Sequence, residues 1–254
     1  MQLGSVAMDP ANPSTAGPLA LVGSGEFTPA MTAVDRLLLE GRPRRAVFLP
    51  TAAGRERPER VDHWVRLGRG HYHDLGVEPV PLLVLDRPSA DDPDLAAEVE
   101  GAGLIYLSGG DPGYLAATLA GTRVLDAILA AWTAGAALAG CSAGACALTA
   151  VAFQVRPSLL RRPGLAVVPG LVVLPHFDTI EGWRPGIVER WLKELEAGET
   201  LVGIDEETAL VGGPHRFRVY GAGAVWVLDT AGRHRHPAGA EIDFSLASPR
   251  PLAM

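Results

Sequence analysis

The chain has 254 residues and a formal net charge of -7, with 48% hydrophobic and 20% charged residues. That length suits one domain of the larger kind, because single cores stop growing near ~250–300 residues. The apolar share excludes intrinsic disorder, the acidic balance argues against a nucleic-acid partner, and two cysteines, Cys141 and Cys146, exclude a disulfide framework.

Residues 1–17 read as a loose leader. They lack a basic n-region and a sustained apolar h-region, so no secretory signal is expected. Pro18–Val22 is a short apolar strand running into Gly23-Ser24-Gly25-Glu26, a phosphate-loop-like turn that matches neither GxGxxG nor a Walker loop. Met31, Val34, Leu37 and Leu38 then recur at helical spacing. Ala46–Leu49 is a second strand, followed by a helix near Arg57–Leu75, a strand Val80–Leu85 and a helix Asp94–Glu100. Arg42–Arg69 holds eight arginines, but Glu56, Glu59 and Asp62 interrupt them, as on a solvated face. His71 and His73 stand two apart and cannot share one helical face, so no zinc site is expected there. Leu104–Leu107 is a strand entering Ser108-Gly109-Gly110-Asp111, Arg123–Ala134 a helix and Ala136–Cys141 a strand. Strands alternating with helices of this length indicate βαβ units and a parallel sheet.

From Ala127 to Phe153 there is no charged residue, long enough to suggest a membrane helix. Gly135, Gly140 and Gly144 weaken a continuous helix, so the run reads as three buried pieces: a helix end, a strand and a second helix. The last third is more β-like, with short strands at 171–174, 201–204, 209–211, 216–220 and 224–228 separated by glycine turns. The fold class expected is α/β: a three-layer, doubly wound, mostly parallel sheet with a C-terminal antiparallel extension. Residues 18–230 form the single domain, and 231–254 a turn and tail. Lys193 is the only lysine.

Ligands in open parallel sheets bind beyond the carboxyl ends of the strands, so the loops there hold the chemistry. Gly140-Cys141-Ser142-Ala143-Gly144, between an apolar strand and an Ala-rich helix, is a G-x-S-x-G nucleophile elbow. Such a turn exposes the Ser142 hydroxyl and aims the Ala143 amide at an oxyanion. A serine needs a base. His176 follows the strand at 171–174, at the same sheet edge, whereas His215, His234 and His236 lie in turns. Asp178, Asp205, Glu206 and Glu207 are the candidates for the acid that would orient the imidazole. The order serine, histidine, acid differs from the serine, acid, histidine of α/β-hydrolases, although His215 after Asp205 keeps that order open.

Four blocks occur in order: Ser108-Gly109-Gly110-Asp111, Gly140-Cys141-Ser142-Ala143-Gly144-Ala145, Pro175-His176-Phe177 and Gly203-Ile204-Asp205-Glu206-Glu207-Thr208-Ala209. From about Leu19 to Val227 the chain resembles the dipeptidase E and cyanophycinase family of serine peptidases, a branch of the class I glutamine amidotransferase-like fold. The resemblance implies Ser142 as nucleophile, His176 as base and Glu206 as acid, with Asp205 close by. It implies Gly110 and Ala143 as oxyanion donors and Asp111 at the substrate. Cyanophycinases have a glutamine where Pro112 stands and an Asp-Gln pair where Leu174-Pro175 stands, so the Pro-His-Phe block is nearer dipeptidase E. Both groups handle acidic substrates, which makes Arg184 the candidate anion contact. The expectation is a cytoplasmic serine-type peptidase that cleaves small peptides without metal or organic cofactor. No nucleic-acid or membrane partner is expected, and a homodimer is left open. A silent binding module, a glutamine amidotransferase (which places cysteine at the elbow centre) and a flavodoxin-like binder are the rivals.

Overall fold

The computed structural model describes residues 16–154, 160–213 and 215–244. The first part alternates as β1 (Leu19–Val22), α1 (Thr32–Leu39), β2 (Arg45–Leu49), α2 (Pro58–Asp74) and β3 (Glu78–Pro81). Two short helices follow, α3 (Arg87–Ala90) and α4 (Pro93–Ala97), and then β4 (Leu104–Leu107), α5 (Pro112–Leu119), α6 (Arg123–Thr133), β5 (Ala137–Cys141) and α7 (Ala143–Leu148). Next come β6 (Val151–Gln154), β7 (Leu160–Pro163), β8 (Leu171–Pro175), α8 (Phe177–Trp183), α9 (Ile187–Glu194) and β9 (Thr200–Ile204). The described chain closes with β10 (Thr208–Gly212), β11 (Arg216–Gly221), β12 (Ala224–Leu228), β13 (Arg233–Pro237) and β14 (Glu241–Asp243).

The strands β1, β5, β4, β2 and β3 pair in that order, all parallel. Their residues alternate between two cores. Leu19, Leu21, Val47, Leu49, Ile105 and Leu107 pack with residues of α5, α6 and α7. Ala20, Val22, Ala46, Phe48, Leu104 and Tyr106 pack with Val34 and Leu38 of α1 and Tyr72 of α2. That period of two puts helices on both faces and makes the sheet the middle of three layers. The charge-free run becomes the end of α6, then β5, α7 and β6. No single helix among the described residues is long and apolar enough to cross a membrane. The pair α5 and α6 passes that test only together, across a 92° bend.

The C-terminal antiparallel extension is present, though not all of the later strands join it. β10, β11 and β14 do extend the first sheet, antiparallel from the outer side of β1. β8, β9, β12 and β13 instead build a separate four-stranded sheet, in which only the β8–β9 pair is parallel. The chain changes sheet at the turn between β9 and β10 and again between β11 and β12, at residues 205–207 and 222–223. Both sheets nevertheless feed one core, since Val172, Leu174, Leu201 and Val225 share the cluster of Leu21 and Leu107.

Three smaller differences have local causes. β3 ends at Pro81 rather than at residue 85, because an edge strand with Pro79 and Pro81 has lost two ladder donors. The helix α5 carries no clear periodicity; it is started by Asp111, whose Oδ1 accepts from the Tyr114 amide at 2.8 Å, and by Pro112 in its first turn. Part of the expected turn and tail is strand: β13 pairs with β12 while exposing most of its side chains, so no apolar alternation marks it. Gly17 is held to Trp132 by two hydrogen bonds of 2.9 and 2.8 Å. The rest of the expected leader, residues 1–15, and residues 245–254 of the expected tail lie outside the described residues.

Candidate active site

The elbow forms where β5 meets α7. Ser142 has φ 51° and ψ -107°, a conformation costing a non-glycine residue roughly 1–3 kcal/mol. Surrounding contacts enforce it. The Ser142 amide donates to the Val22 carbonyl of β1 at 2.9 Å, and its carbonyl accepts from the Cys146 amide at 3.1 Å. The two elbow glycines are needed for close approach. A Cβ on Gly140 would lie 2.4 Å from the Gly144 carbonyl carbon, and one on Gly144 would lie 2.1 Å from the Leu107 carbonyl oxygen. Helix α7 can lie this tightly on β5 and β4 only because Gly140 and Gly144 carry no side chains.

His176 is the first residue beyond β8 and precedes α8, with φ 53° in the left-handed region. The amides of Thr179 and Ile180 donate to its carbonyl at 3.0 and 2.7 Å, so the first turn of α8 locks the bend. Its ring bridges two groups: Nε2 lies 2.9 Å from Ser142 Oγ, and Nδ1 lies 2.9 Å from Glu206 Oε1. The Trp183 ring stands over the same imidazole, 5.3 Å between centroids.

The neighbouring acids diverge, as alternation along a strand and its turn demands. Glu206 reaches the histidine, its own amide held by Asp178 Oδ1 at 2.9 Å. Asp205 is buried and points the other way: its carboxylate accepts from the Ala224 amide and from Trp226 Nε1, each at 2.9 Å. Burial pushes the Asp205 carboxyl above its ordinary value, with the two hydrogen bonds opposing. Glu207, at φ 50°, donates its amide to Ser24 Oγ at 3.4 Å. His215 and the exposed His234, which contacts Asp229 at 3.1 Å, take no part. His71, weighed above as a metal ligand, is instead a buried partner of Asp35, 2.7 Å away.

A cleft of about 450 Å³ opens over the serine. Gly110, Ala143 and His176 line it beside Ser142, and Phe153, Ile180, Trp183 and Ile187 give it an apolar wall. Arg184 also faces it. Asp111 does not: it caps α5 and lines a neighbouring cavity of about 420 Å³ with Arg55 and Arg162. The Gly110 amide donates to no backbone carbonyl among the described residues, and Ala143, first residue of α7, has no intrahelical acceptor for its own.

Sequence reasoning missed two residues here. Trp183 carried no signal beyond lying seven residues after His176. Glu26 was visible only as the last residue of a glycine-rich turn. The structure buries it beneath the elbow, with Oε1 2.9 Å from the Gly109 amide and Oε2 2.8 Å from Cys141 Sγ. Burial, with Glu26 beside it, holds the Cys141 thiol protonated well above its ordinary range, so Cys141 is a donor within the packing.

A serine on a strained strand-to-helix turn, with an imidazole in hydrogen-bond reach, has the geometry of a nucleophile elbow. Residues 19–219 match the profile of peptidase family S51, and the chain belongs to that family of serine-type peptidases. It is similar to the crystal structure of a peptidase from an acI-B1 Actinobacterium, with 39% identity, a TM-score of 0.83, and coverage of 90% of this chain and 97% of that one. A candidate peptidase E protein from Listeria monocytogenes EGD-e shares the fold at 18% identity and a TM-score of 0.56, over 87% of this chain and 98% of that one. No curated protein matches the chain.

Proposed function

We propose that the chain cleaves small peptides through an acyl-enzyme, with Ser142 as nucleophile, His176 as general base and Glu206 as the orienting acid. The observation that carries this reading is the unbroken relay of two 2.9 Å contacts, Ser142 Oγ to His176 Nε2 and His176 Nδ1 to Glu206 Oε1. Both distances lie inside the ~2.6–3.2 Å reach that proton transfer requires.

In the first half-reaction Ser142 Oγ bonds to the scissile carbonyl carbon as its proton passes to His176 Nε2. Glu206 holds Nδ1–H in place and offsets the charge of the imidazolium. The tetrahedral oxyanion is received by the Gly110 and Ala143 amides, helped by the start of α7. His176 then gives its proton to the departing amine, the C–N bond breaks, and water attacks the acyl-serine by the same base.

The cleft suggests how a peptide lies. Its wall of Phe153, Ile180, Trp183 and Ile187 suits an apolar side chain, and Arg184, in the same lining, is the candidate contact for a carboxylate of a short substrate. Asp111, capping α5, shapes the Gly110 turn from behind.

A fluorophosphonate tests the reading directly. The folded protein is expected to be phosphonylated at Ser142, located by peptide mass spectrometry, and Ser142→Ala to lose labelling and lower kcat by ~10³-fold or more with its circular dichroism unchanged. An unlabelled Ser142 in folded protein would overturn it.

A further inference from the structure

Glu26 is a buried carboxylate that the relay does not use. It leaves β1 in a turn whose backbone is bent to deliver it, with Gly25 at φ 86° and Phe27, a non-glycine residue, at φ 61°. Strain of that kind persists only where surroundings over-determine it, and it clusters at working parts of proteins. Its two oxygens are divided between the two pieces of chain that flank the nucleophile: Oε1 accepts from the Gly109 amide at 2.9 Å, and Oε2 from the Cys141 thiol at 2.8 Å.

The Gly109 contact decides how the next peptide lies. A Cβ on Gly109 would meet Glu26 Oε1 at 2.8 Å and stand 3.6 Å from Ser142 Cβ, so a side chain there would push the Glu26 carboxylate aside. On the far side of the turn the Asp111 amide donates to the Ala52 carbonyl at 2.9 Å. Gly110 lies between these anchors at φ 143°, a conformation closed to side chains. Of three consecutive amides, the first is committed to Glu26 and the third to Ala52, and the middle one is left for the cleft.

We propose that Glu26 is a positioning residue: by holding the Gly109 amide it turns the Gly110 amide toward the oxyanion. The proposal rests on the serine-hydrolase reading above. It acts on transition-state stabilisation and not on substrate capture, because Glu26 is sealed behind the loop and is not part of the cleft lining. Glutamine keeps an oxygen of the same reach for the Gly109 amide. Alanine does not, and would leave the loop with one anchor.

Steady-state hydrolysis of p-nitrophenyl acetate and the rate of fluorophosphonate labelling test this on the full chain. Glu26→Ala is expected to lower kcat and the labelling rate together by ~10–10³-fold, the range for losing one oxyanion donor, with KM within about twofold. Glu26→Gln is expected to restore kcat to within about fivefold of the unsubstituted chain. If Glu26→Ala is too poorly folded to assay, Glu26→Gln and Glu26→Asp decide: glutamine active and the shorter aspartate impaired in kcat supports the proposal, and equal loss in both overturns it. A folded Glu26→Ala with unchanged kcat, or with its loss in KM alone, also overturns it. Absence of Ser142 labelling in the unsubstituted chain sinks instead the hydrolase reading on which it rests.

Discussion

Adjacent acids at the end of β9 have opposite fates, and each fate is a property of one residue. Glu206 touches His176, whereas Asp205 ties the end of β9 to β12 through the Ala224 amide and the Trp226 indole. Substitution should separate the two. Glu206→Gln is expected to lower kcat by ~10²–10⁴-fold with thermal stability nearly unchanged, since glutamine no longer offsets an imidazolium. Asp205→Ala leaves the buried Ala224 amide and the half-buried Trp226 indole without this partner and should lower unfolding free energy by ~1–3 kcal/mol in urea titrations, with activity per folded molecule preserved. Equal effects of both on kcat would refute the division. Ser142 and His176 were readable from sequence because an elbow and a histidine at a strand's carboxyl end each leave a local mark. The choice between Asp205 and Glu206 was not readable without a resemblance. It depends on where a turn sends alternating side chains, and one residue of register reverses it. Glu26 was harder still, because its partners are 83 and 115 residues away along the chain.

Elements show the same mixture of local and distant causes. Strands β1, β2, β4 and β5 announce themselves as continuous apolar runs, since both faces are buried. Helix α5 does not, because its cap and proline start it while its five buried residues, Pro112, Leu115, Ala116, Thr118 and Leu119, are opposed by no charged face. Helices α1 and α2 are joined by the buried Asp35–His71 pair, 2.7 Å long, on the face of the sheet away from the cleft. Burial raises the Asp35 carboxyl above its ordinary 3.8, outweighing the hydrogen bond and charge of His71. A folded-state value above the unfolded one means that the native chain holds this proton more tightly. The contribution to stability is therefore full below the ordinary value and is lost as pH rises through the folded one. Asp35→Asn removes that titration while keeping an oxygen for His71. Its stability relative to the unsubstituted chain should climb as pH is raised from about 3 to 7, followed by urea unfolding at each pH. A difference independent of pH would show that Asp35 carries no such burden.

At the scale of the whole molecule the site is shared between two sheets. Ser142 follows a strand of the first, His176 follows a strand of the second, and Glu206 sits where the chain passes from one to the other. Composition and alternation foretold the three-layer parallel core; they could not foretell the second sheet. A strand's apolar face does not say which sheet it will join, and the strands at 201–204 and 224–228 look like those that continue the first. Because the two sheets contribute to one apolar cluster, they are expected to come apart together. Ester hydrolysis and far-UV circular dichroism should be lost in a single coincident urea transition. Activity vanishing at clearly lower urea would mean that the second sheet opens on its own.

The order in which the site's residues leave the ribosome adds a biological corollary. Synthesis delivers Ser142 first, His176 34 residues later and Glu206 30 residues after that. Even then β10, which sits beside β1 at the centre of the first sheet, has yet to be made. A growing chain thus carries the elbow without its histidine and glutamate neighbours until residue 206 is translated, and one terminated before that residue is expected to lack hydrolytic activity. For a peptidase of this family, the order of the strands along the gene sets how late the site can assemble.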